Sequence, residues 1–369
     1  MSKLPLYLKI KHDLKTAIDG GDLHEGARIP SEIELAAQYG VSRNPTRQAL
    51  RELELEGYIT RTRRRGSFVA PHAKRNNQLS MTQGRALAIL CPNVRTVNVR
   101  EIVNGFIQGV GERGFHAMVY FMECTDKRQS ELLSDIRQSG LAGVALWLSD
   151  DCDETLAKLD YFRKINYPFV LFDRYVRERE WDFVVTDNEY LTYTLTKALL
   201  AKGHRNIGFF ISSQSNTANE DRKAGYQRAL KEAGISNVEE FAAALDPDEN
   251  NHTADISRII ARKERPSAIV CAQDWTAMKV SVELHRLGYA IPQDVVLASV
   301  DDGEIALHPD LEIVTAKQDT IEMGRMSADT LMRRVELPQI GPTQVFLKPS
   351  FHHEDLLGET HVALKQAMH

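Results

Sequence analysis

The chain has 369 residues, 43% of them hydrophobic and 26% charged, with a formal net charge of −5. At roughly 100–200 residues per domain, this length holds two or three domains, and the composition excludes collagen-like, low-complexity and disordered chains. The acidic total argues against a nucleic-acid partner only if charge is evenly spread, yet residues 1–75 carry 14 Lys and Arg against 9 Asp and Glu, leaving 32 against 42 for the remainder. The split predicts a basic module that meets a polyanion, joined to an acidic part that does not.

Cys91, Cys124, Cys152 and Cys271 lie far apart without CxxC or Cys/His ligand spacing, so they read as reduced, buried thiols rather than zinc ligands or a disulfide framework. The opening MSKLPLYLKIKHDLK has Lys every few residues and lacks the apolar core of a signal peptide, and no run of 18 apolar residues occurs. These features predict a soluble, cytoplasmic protein without membrane association.

In the first module Leu6, Ile10, Leu14 and Ile18 recur every four residues, one apolar face of a helix that stops at Gly20-Gly21. After Pro30, Ser31-Glu32-Ile33-Glu34 is a capping box that opens a second helix through Leu35 and Ala36, ending at Gly40. Ser42 caps a third helix that closes at Gly57; its Ala49, Leu50 and Leu53 face inward, while Arg43, Arg47 and Arg51 share another face. Residues 58–62 and 67–69 read as two strands around a basic turn, Arg63-Arg64-Arg65-Gly66. Three helices followed by a basic hairpin predict a winged helix-turn-helix domain over residues 1–70. The runs PLYLKIKHDLKTAI, GARIPSEIELAAQYGVSR, ALRELELEGYI and RGSFVA resemble the DNA-binding domain of the GntR family.

Residues 71–84 have little periodicity and read as a linker. Beyond them, short apolar runs at 85–91, 116–122, 143–148, 168–173, 206–211, 267–272 and 295–300 alternate with amphipathic stretches such as 99–113, 190–202, 222–233 and 276–287. This alternation predicts an α/β effector domain of two doubly wound parallel sheets over residues 85–350, with a tail at 351–369. The blocks FVLFDRYV, VVTDN, LLAKGHRNIGFF, DRKAGYQRAL, AIVCAQDWTAMKV, LASVDDGE and TAKQD, in this order, resemble the lactose-repressor family, whose effector domain is periplasmic-binding-protein-like and two-lobed. A GntR-type reader on such a domain resembles the arabinose-repressor group of regulators.

The resemblance implies DNA contacts from Ser31, Ser42, Arg43, Asn44, Thr46, Arg47, Arg63, Arg64, Arg65 and Gly66. Within that set Arg43 and Arg47 read base edges through their forked donors, Ser42 and Thr46 meet phosphates, and the wing arginines enter a narrow minor groove. Ile33 stands where the family commonly carries Arg, and Pro45 biases Asn44 away from helical geometry, predicting a distorted start to the third helix. For the effector domain the resemblance implies a ligand between the lobes at the carboxyl ends of strands, met by Trp147, Asp150, Asp173, Arg222, Gln273, Trp275, Asp301 and Gln318. Carboxylates, amides and one arginine suit sugar hydroxyls, which donate and accept. Gln273 stands where relatives often have Asn or Asp, and its longer amide is expected to reach further into the cleft.

Catalysis is not expected. Ser212-Ser213 lacks a GxSxG frame, His204 reads as a turn anchor, His352-His353 has no ligand partners, and no phosphate loop occurs, so neither a cofactor nor a metal is expected. The reading is a homodimeric, sugar-controlled transcriptional regulator of carbohydrate genes, more a repressor than an activator, that binds double-stranded operator DNA. A regulator sensing a purine or amino acid, and a small-molecule receptor without DNA function, remain as alternatives.

Overall fold

The computed structural model describes residues 6–19, 21–55, 58–62, 66–70, 85–92, 96–122, 126–149, 152–236, 238–246, 252–301 and 314–352. The chain divides into two units, residues 1–85 and 86–369.

In the first unit, helix α1 (Leu6–Asp19) buries Ile10, Leu14 and Ile18, while Leu6, expected on the same face, is 54% exposed. Helix α2 (Glu32–Tyr39) opens on the capping box of Ser31 and Glu34 and ends at Gly40, whose φ of 63° suits a residue without a Cβ. Helix α3 (Arg43–Leu55) buries Ala49, Leu50 and Leu53 against α1 and α2. It runs unbroken through Asn44 and Pro45, contrary to the distortion expected of Pro45. First-turn N–H groups have no intrahelical acceptor, so the proline forfeits no helix hydrogen bond there, and Asn44 stays helical despite the steric bias against it. Strand β1 (Arg28–Ile29), too short to show periodicity, joins β2 (Ile59–Thr62) and β3 (Gly66–Val69) in an antiparallel sheet ordered β1-β3-β2.

The second unit holds two sheets. The first takes β4 (Ala86–Pro92), β5 (His116–Met122), β6 (Gly143–Leu146), β7 (Phe169–Phe172), β8 (Phe183–Thr186) and β14 (Gln344–Leu347) in the order β14-β8-β7-β6-β4-β5, all parallel. Helices α4 (Val97–Glu112) and α11 (Thr320–Glu336) cover one face, and α5 (Asp126–Gln138) and α6 (Asp153–Lys164) the other. The second sheet takes β9 (Ile207–Ser212), β10 (Ala242–Leu245), β11 (Ala268–Cys271), β12 (Val296–Val300), β13 (Val314–Lys317) and β15 (Ser350–His352), ordered β10-β9-β11-β12-β13-β15. Only β15 is antiparallel to its neighbour. Helices α7 (Asn188–Ala201) and α8 (Thr217–Glu232) cover one face of it, α9 (Thr253–Ile260) and α10 (Asp274–Arg286) the other. Burial on both faces explains why the inner strands β4, β6, β7, β8, β9 and β11 read as continuous apolar runs, while the edge strands β5 and β14 alternate.

Among the described residues the chain passes between the sheets three times, from β8 to α7, from β13 to α11, and from β14 to β15. Phe351 and His352, read as the start of a tail, instead pair with Ala316 and Thr315. Two devices fix the returning segment on the first sheet. Helices α4 and α11 touch through glycines, a Cβ on Gly105 falling 2.0 Å from the Ile321 carbonyl oxygen and one on Gly324 2.1 Å from that of Ile102. The buried pair of Arg334 Nε and Asp182 Oδ2, at 2.7 Å, anchors the turn before β14, because Arg334 also donates to the carbonyls of Pro338 and Gly341 and Asp182 accepts from the Thr343 N–H.

Candidate effector cleft and nucleic-acid interface

A cavity of about 260 Å3 lies between the two sheets, against the ~10–15 Å3 that admits one water. Its lining comes from strand ends of both lobes: Trp147 after β6, Asp173 and Arg174 after β7, Ser212 at the end of β9, Gln273 after β11, Asp301 after β12 and Gln318 after β13. This is the crevice outside the carboxyl ends of parallel strands. Arg222 and Asn219 reach it from α8, and Trp275 from α10. Of the eight residues read from sequence, seven line this one cavity, and Asp150 lies outside the described residues.

Asp173 and Asp301 both adopt left-handed backbone, with φ of 66° and 78°. Asp enters this region more readily than most residues, and such geometry clusters at functional sites. The Asp173 carboxylate accepts from Trp147 Nε1 at 2.8 Å. The Arg174 guanidinium lies 3.7 Å from the centroid of the Trp147 ring and donates to the Leu148 carbonyl at 3.2 Å. Across the cleft, Asp301 accepts from Gln318 Nε2 at 2.6 Å, and Gln318 Oε1 accepts from Thr186 Oγ1 at 2.7 Å. This chain of bonds links the cavity to two of the three inter-sheet crossings.

Arg222 sits in the second turn of α8, five residues beyond the helix start, and does not open it as the sequence suggested. It is 4% exposed; Nε donates to Asn188 Oδ1 and Nη1 to the Ala272 carbonyl, both at 2.7 Å. Nη2 has no hydrogen bond among the described residues, which leaves one edge of a fixed guanidinium for a ligand. Gln273 corrects the expectation of a long amide reaching into the cleft. Its Oε1 accepts from the Ser212 N–H at 3.1 Å and its Nε2 donates to Asn219 Oδ1 at 2.6 Å, so both amide ends are spent on the wall. Asn188, Asn219 and Arg174 escaped the sequence reading, although Asn219 precedes Arg222 by about one helical turn and Arg174 follows Asp173 directly. His204, read as a turn anchor, bonds Ser267 Oγ through Nδ1 at 2.8 Å; burial, then nearby Lys202, holds its pKa below the usual value.

On the first unit, Ser42, Arg43, Asn44 and Arg47 are exposed along the first turns of α3. Thr46 is not among them. It is fully buried, and its hydroxyl donates to the carbonyls of Arg43 at 2.9 Å and Glu32 at 3.1 Å, locking α3 to α2. Thr46 therefore has no surface for a phosphate. Ser31 caps α2, accepting the Glu34 N–H at 3.3 Å. Glu32, which the sequence reading passed over, stands between two arginines, Arg47 Nε at 3.2 Å and Arg61 Nη2 at 3.5 Å. Gly66, at φ 105°, starts β3, while Arg63, Arg64 and Arg65 lie outside the described residues. A helix with this exposed cationic end has the width and donors for a major groove.

Residues 6–69 match the gntR family of bacterial regulatory proteins, and residues 196–353 match the periplasmic binding protein-like domain. The chain joins a GntR-type helix-turn-helix domain to a periplasmic-binding-protein-like domain. Among curated relatives, this regulator is 25% identical to the arabinose metabolism transcriptional repressor of Geobacillus stearothermophilus, over 90% of its own length and 92% of the relative's. It is 23% identical to the ribose operon repressor of Haemophilus influenzae, over 74% and 81%. In fold it is similar to a transcriptional regulator CelR–cellobiose complex, with a TM-score of 0.64 at 22% identity over 88% of this chain and 98% of that one. It is also similar to a LacI-family regulator from Enterococcus faecium with bound ribose, with a TM-score of 0.60 at 18% identity over 72% and 96%. Among the described residues of the regulator no helix is long and apolar enough to cross a membrane.

Proposed function

We propose that this regulator is a cytoplasmic, homodimeric transcriptional repressor of carbohydrate-utilisation genes, released from a pseudo-palindromic operator by a small sugar held between its two sheets. The observation that carries this reading is the lining of the cavity. Two carboxylates, Asp173 and Asp301, the amide of Gln318 and the fixed guanidinium of Arg222 meet in one space, offering acceptors and donors in the mixture that a polyol requires. Trp275, partly buried at the edge of the core behind the cavity, supplies an apolar face for a pyranose or furanose ring. A relative that is an arabinose metabolism transcriptional repressor, another that is a ribose operon repressor, and similar folds holding cellobiose and ribose support the sugar class.

In this reading Arg43 and Arg47 address base edges, Ser42 and Asn44 the adjoining backbone, and the arginines at 63–65 the minor groove. The sugar acts by linkage. It shifts the chain between DNA-competent and incompetent states only as far as its affinities for the two differ.

A thermal-shift screen of pentoses, hexoses, sugar phosphates and nucleobases tests the effector, since a ligand at 100 times its Kd adds about 2.7 kcal/mol of stability. A neutral sugar is expected to raise Tm and to release the protein from its own promoter DNA in a mobility-shift assay. A rise with nucleobases alone overturns the sugar class, and an absence of salt-dependent, sequence-selective binding overturns the operator reading.

A further inference from the structure

The lobes meet at a second place, away from the three chain crossings. Residues 173–182 join β7 to β8 and so belong to the first sheet, whereas α8 packs on the second. Thr217, the first residue of α8, clasps Tyr175 from both sides: its Oγ1 accepts the Tyr175 N–H at 3.0 Å and donates to the Tyr175 carbonyl at 3.0 Å. The Tyr175 hydroxyl donates to Asp221 Oδ2 at 3.1 Å. Arg177 donates through Nη2 to Asp221 Oδ1, through Nε to Glu220 Oε2 at 3.3 Å and through Nη1 to the Tyr175 hydroxyl at 3.0 Å. The Tyr175 ring is itself fixed, stacked on Phe183 with centroids 4.7 Å apart.

We propose that this strap, Tyr175 and Arg177 fastened to Thr217, Glu220 and Asp221, is a latch that holds the two lobes together without ligand and sets how much of the closing equilibrium is left for an effector to shift. Its position gives it that leverage. Tyr175 stands two residues beyond Asp173, and Asp221 immediately before Arg222, so fastening the strap fixes the distance between cavity groups of opposite lobes. Its strength is also suited to a switch. Arg177 and Glu220 are about half exposed, and pairs of that kind are weak and salt-sensitive. Asp221 is 7% exposed, and burial raises its pKa despite the opposing pull of Arg177 and Tyr175, so the carboxylate still carries a cost of desolvation. Burial, followed by Asp221, pushes the Tyr175 hydroxyl up to about 12, which keeps it a donor at any ordinary pH.

The test measures lobe separation in the full chain, by electron spin distance between cysteine-independent labels at position 135 on α5 and position 279 on α10, with no sugar added. Arg177→Ala is expected to broaden the distribution and move it from the latched distance, lowering the latched-to-unlatched ratio roughly fivefold to thirtyfold, the equivalent of about 1–2 kcal/mol summed over its bonds to Asp221, Glu220 and Tyr175. Thr217→Val keeps the side-chain shape, removes the two-way clasp and is expected to move the distribution in the same sense. Raising NaCl from 0.05 to 1 M is expected to shift wild type towards the Arg177→Ala distribution and to leave that variant unmoved. Distributions of both variants that coincide with wild type, while circular dichroism shows them folded, overturn the latch. Because no ligand enters the experiment, that outcome is separate from any failure of the sugar reading.

Discussion

Trp147 Nε1 donates to Asp173 Oδ2 at 2.8 Å while the same indole ring carries the Arg174 guanidinium 3.7 Å from its centroid. One side chain thus orients two neighbouring charges of the cleft, one through its edge and one through its face. Trp147→Phe keeps a ring and removes the donor, so it is expected to weaken binding of whichever sugar stabilises the wild type by about tenfold, roughly 1.4 kcal/mol. Isothermal titration measures it, and an unchanged Kd means that Trp147 does not organise the site.

Arg47, on the exposed start of α3, and Glu32, the first residue of α2, form a second such pair at 3.2 Å. Arg47→Ala is expected to cost about 1–3 kcal/mol on operator DNA and to relax base preference, with little change on random DNA. Glu32→Gln removes a negative charge from the same surface without removing an arginine, so random-sequence affinity rises. Competition binding at several salt concentrations separates the two. Equal losses on both DNAs for Arg47→Ala contradict a base-reading role.

Gly324→Ala would bring a methyl group to 2.1 Å from the Ile102 carbonyl, so α4 and α11 must part. The expected loss is about 1–3 kcal/mol or more, seen as a lower urea midpoint at unchanged slope. Gly111→Ala, in the last turn of α4 with open space around it, is the matched control. It is expected to gain about 0.5–1 kcal/mol through helix propensity and a less flexible unfolded chain.

Glu283 on α10 is held by Arg286 at 2.6 Å and accepts from Ser257 on α9. The hydrogen bond from Arg286 is the largest cause holding its pKa below the ordinary carboxylate value. A lowered carboxylate pKa contributes stability that is present above the unfolded value and is lost as pH falls through the folded one. Glu283→Gln is therefore expected to lower Tm most at neutral pH, with the gap to wild type closing as pH falls below the ordinary glutamate value of about 4.3. A gap that persists unchanged at pH 3.5 shows that the ion pair is not its source.

The helices of the reader were legible because each carries its own punctuation: Ser31 and Glu34 at one end of α2 and Gly40 at the other are local signals. Asp173, Gln273, Asp301 and Gln318 were legible for a related reason, since each polar residue stands within two positions of the end of a largely buried strand. Thr46 was misread because a position on the helix does not tell which face is occupied by a neighbour. Its side chain meets a carbonyl 14 residues away. Gln273 was misread because its length, taken as reach into the cleft, is used to span Ser212 and Asn219.

By itself the sequence determined the division into a basic reader and an acidic receptor, the three helices, and the alternation of buried strands with amphipathic helices. Those properties rest on charge and on periodicity within single elements, which neighbouring residues fix. Only the tertiary structure decided that α11 and β14 return to the first sheet, that Gln318 joins Thr186 across 132 residues, and that Tyr175 and Arg177 are fastened to α8. Such contacts depend on strand order and on three crossings between lobes, and no local pattern encodes which distant side chain completes a hydrogen bond.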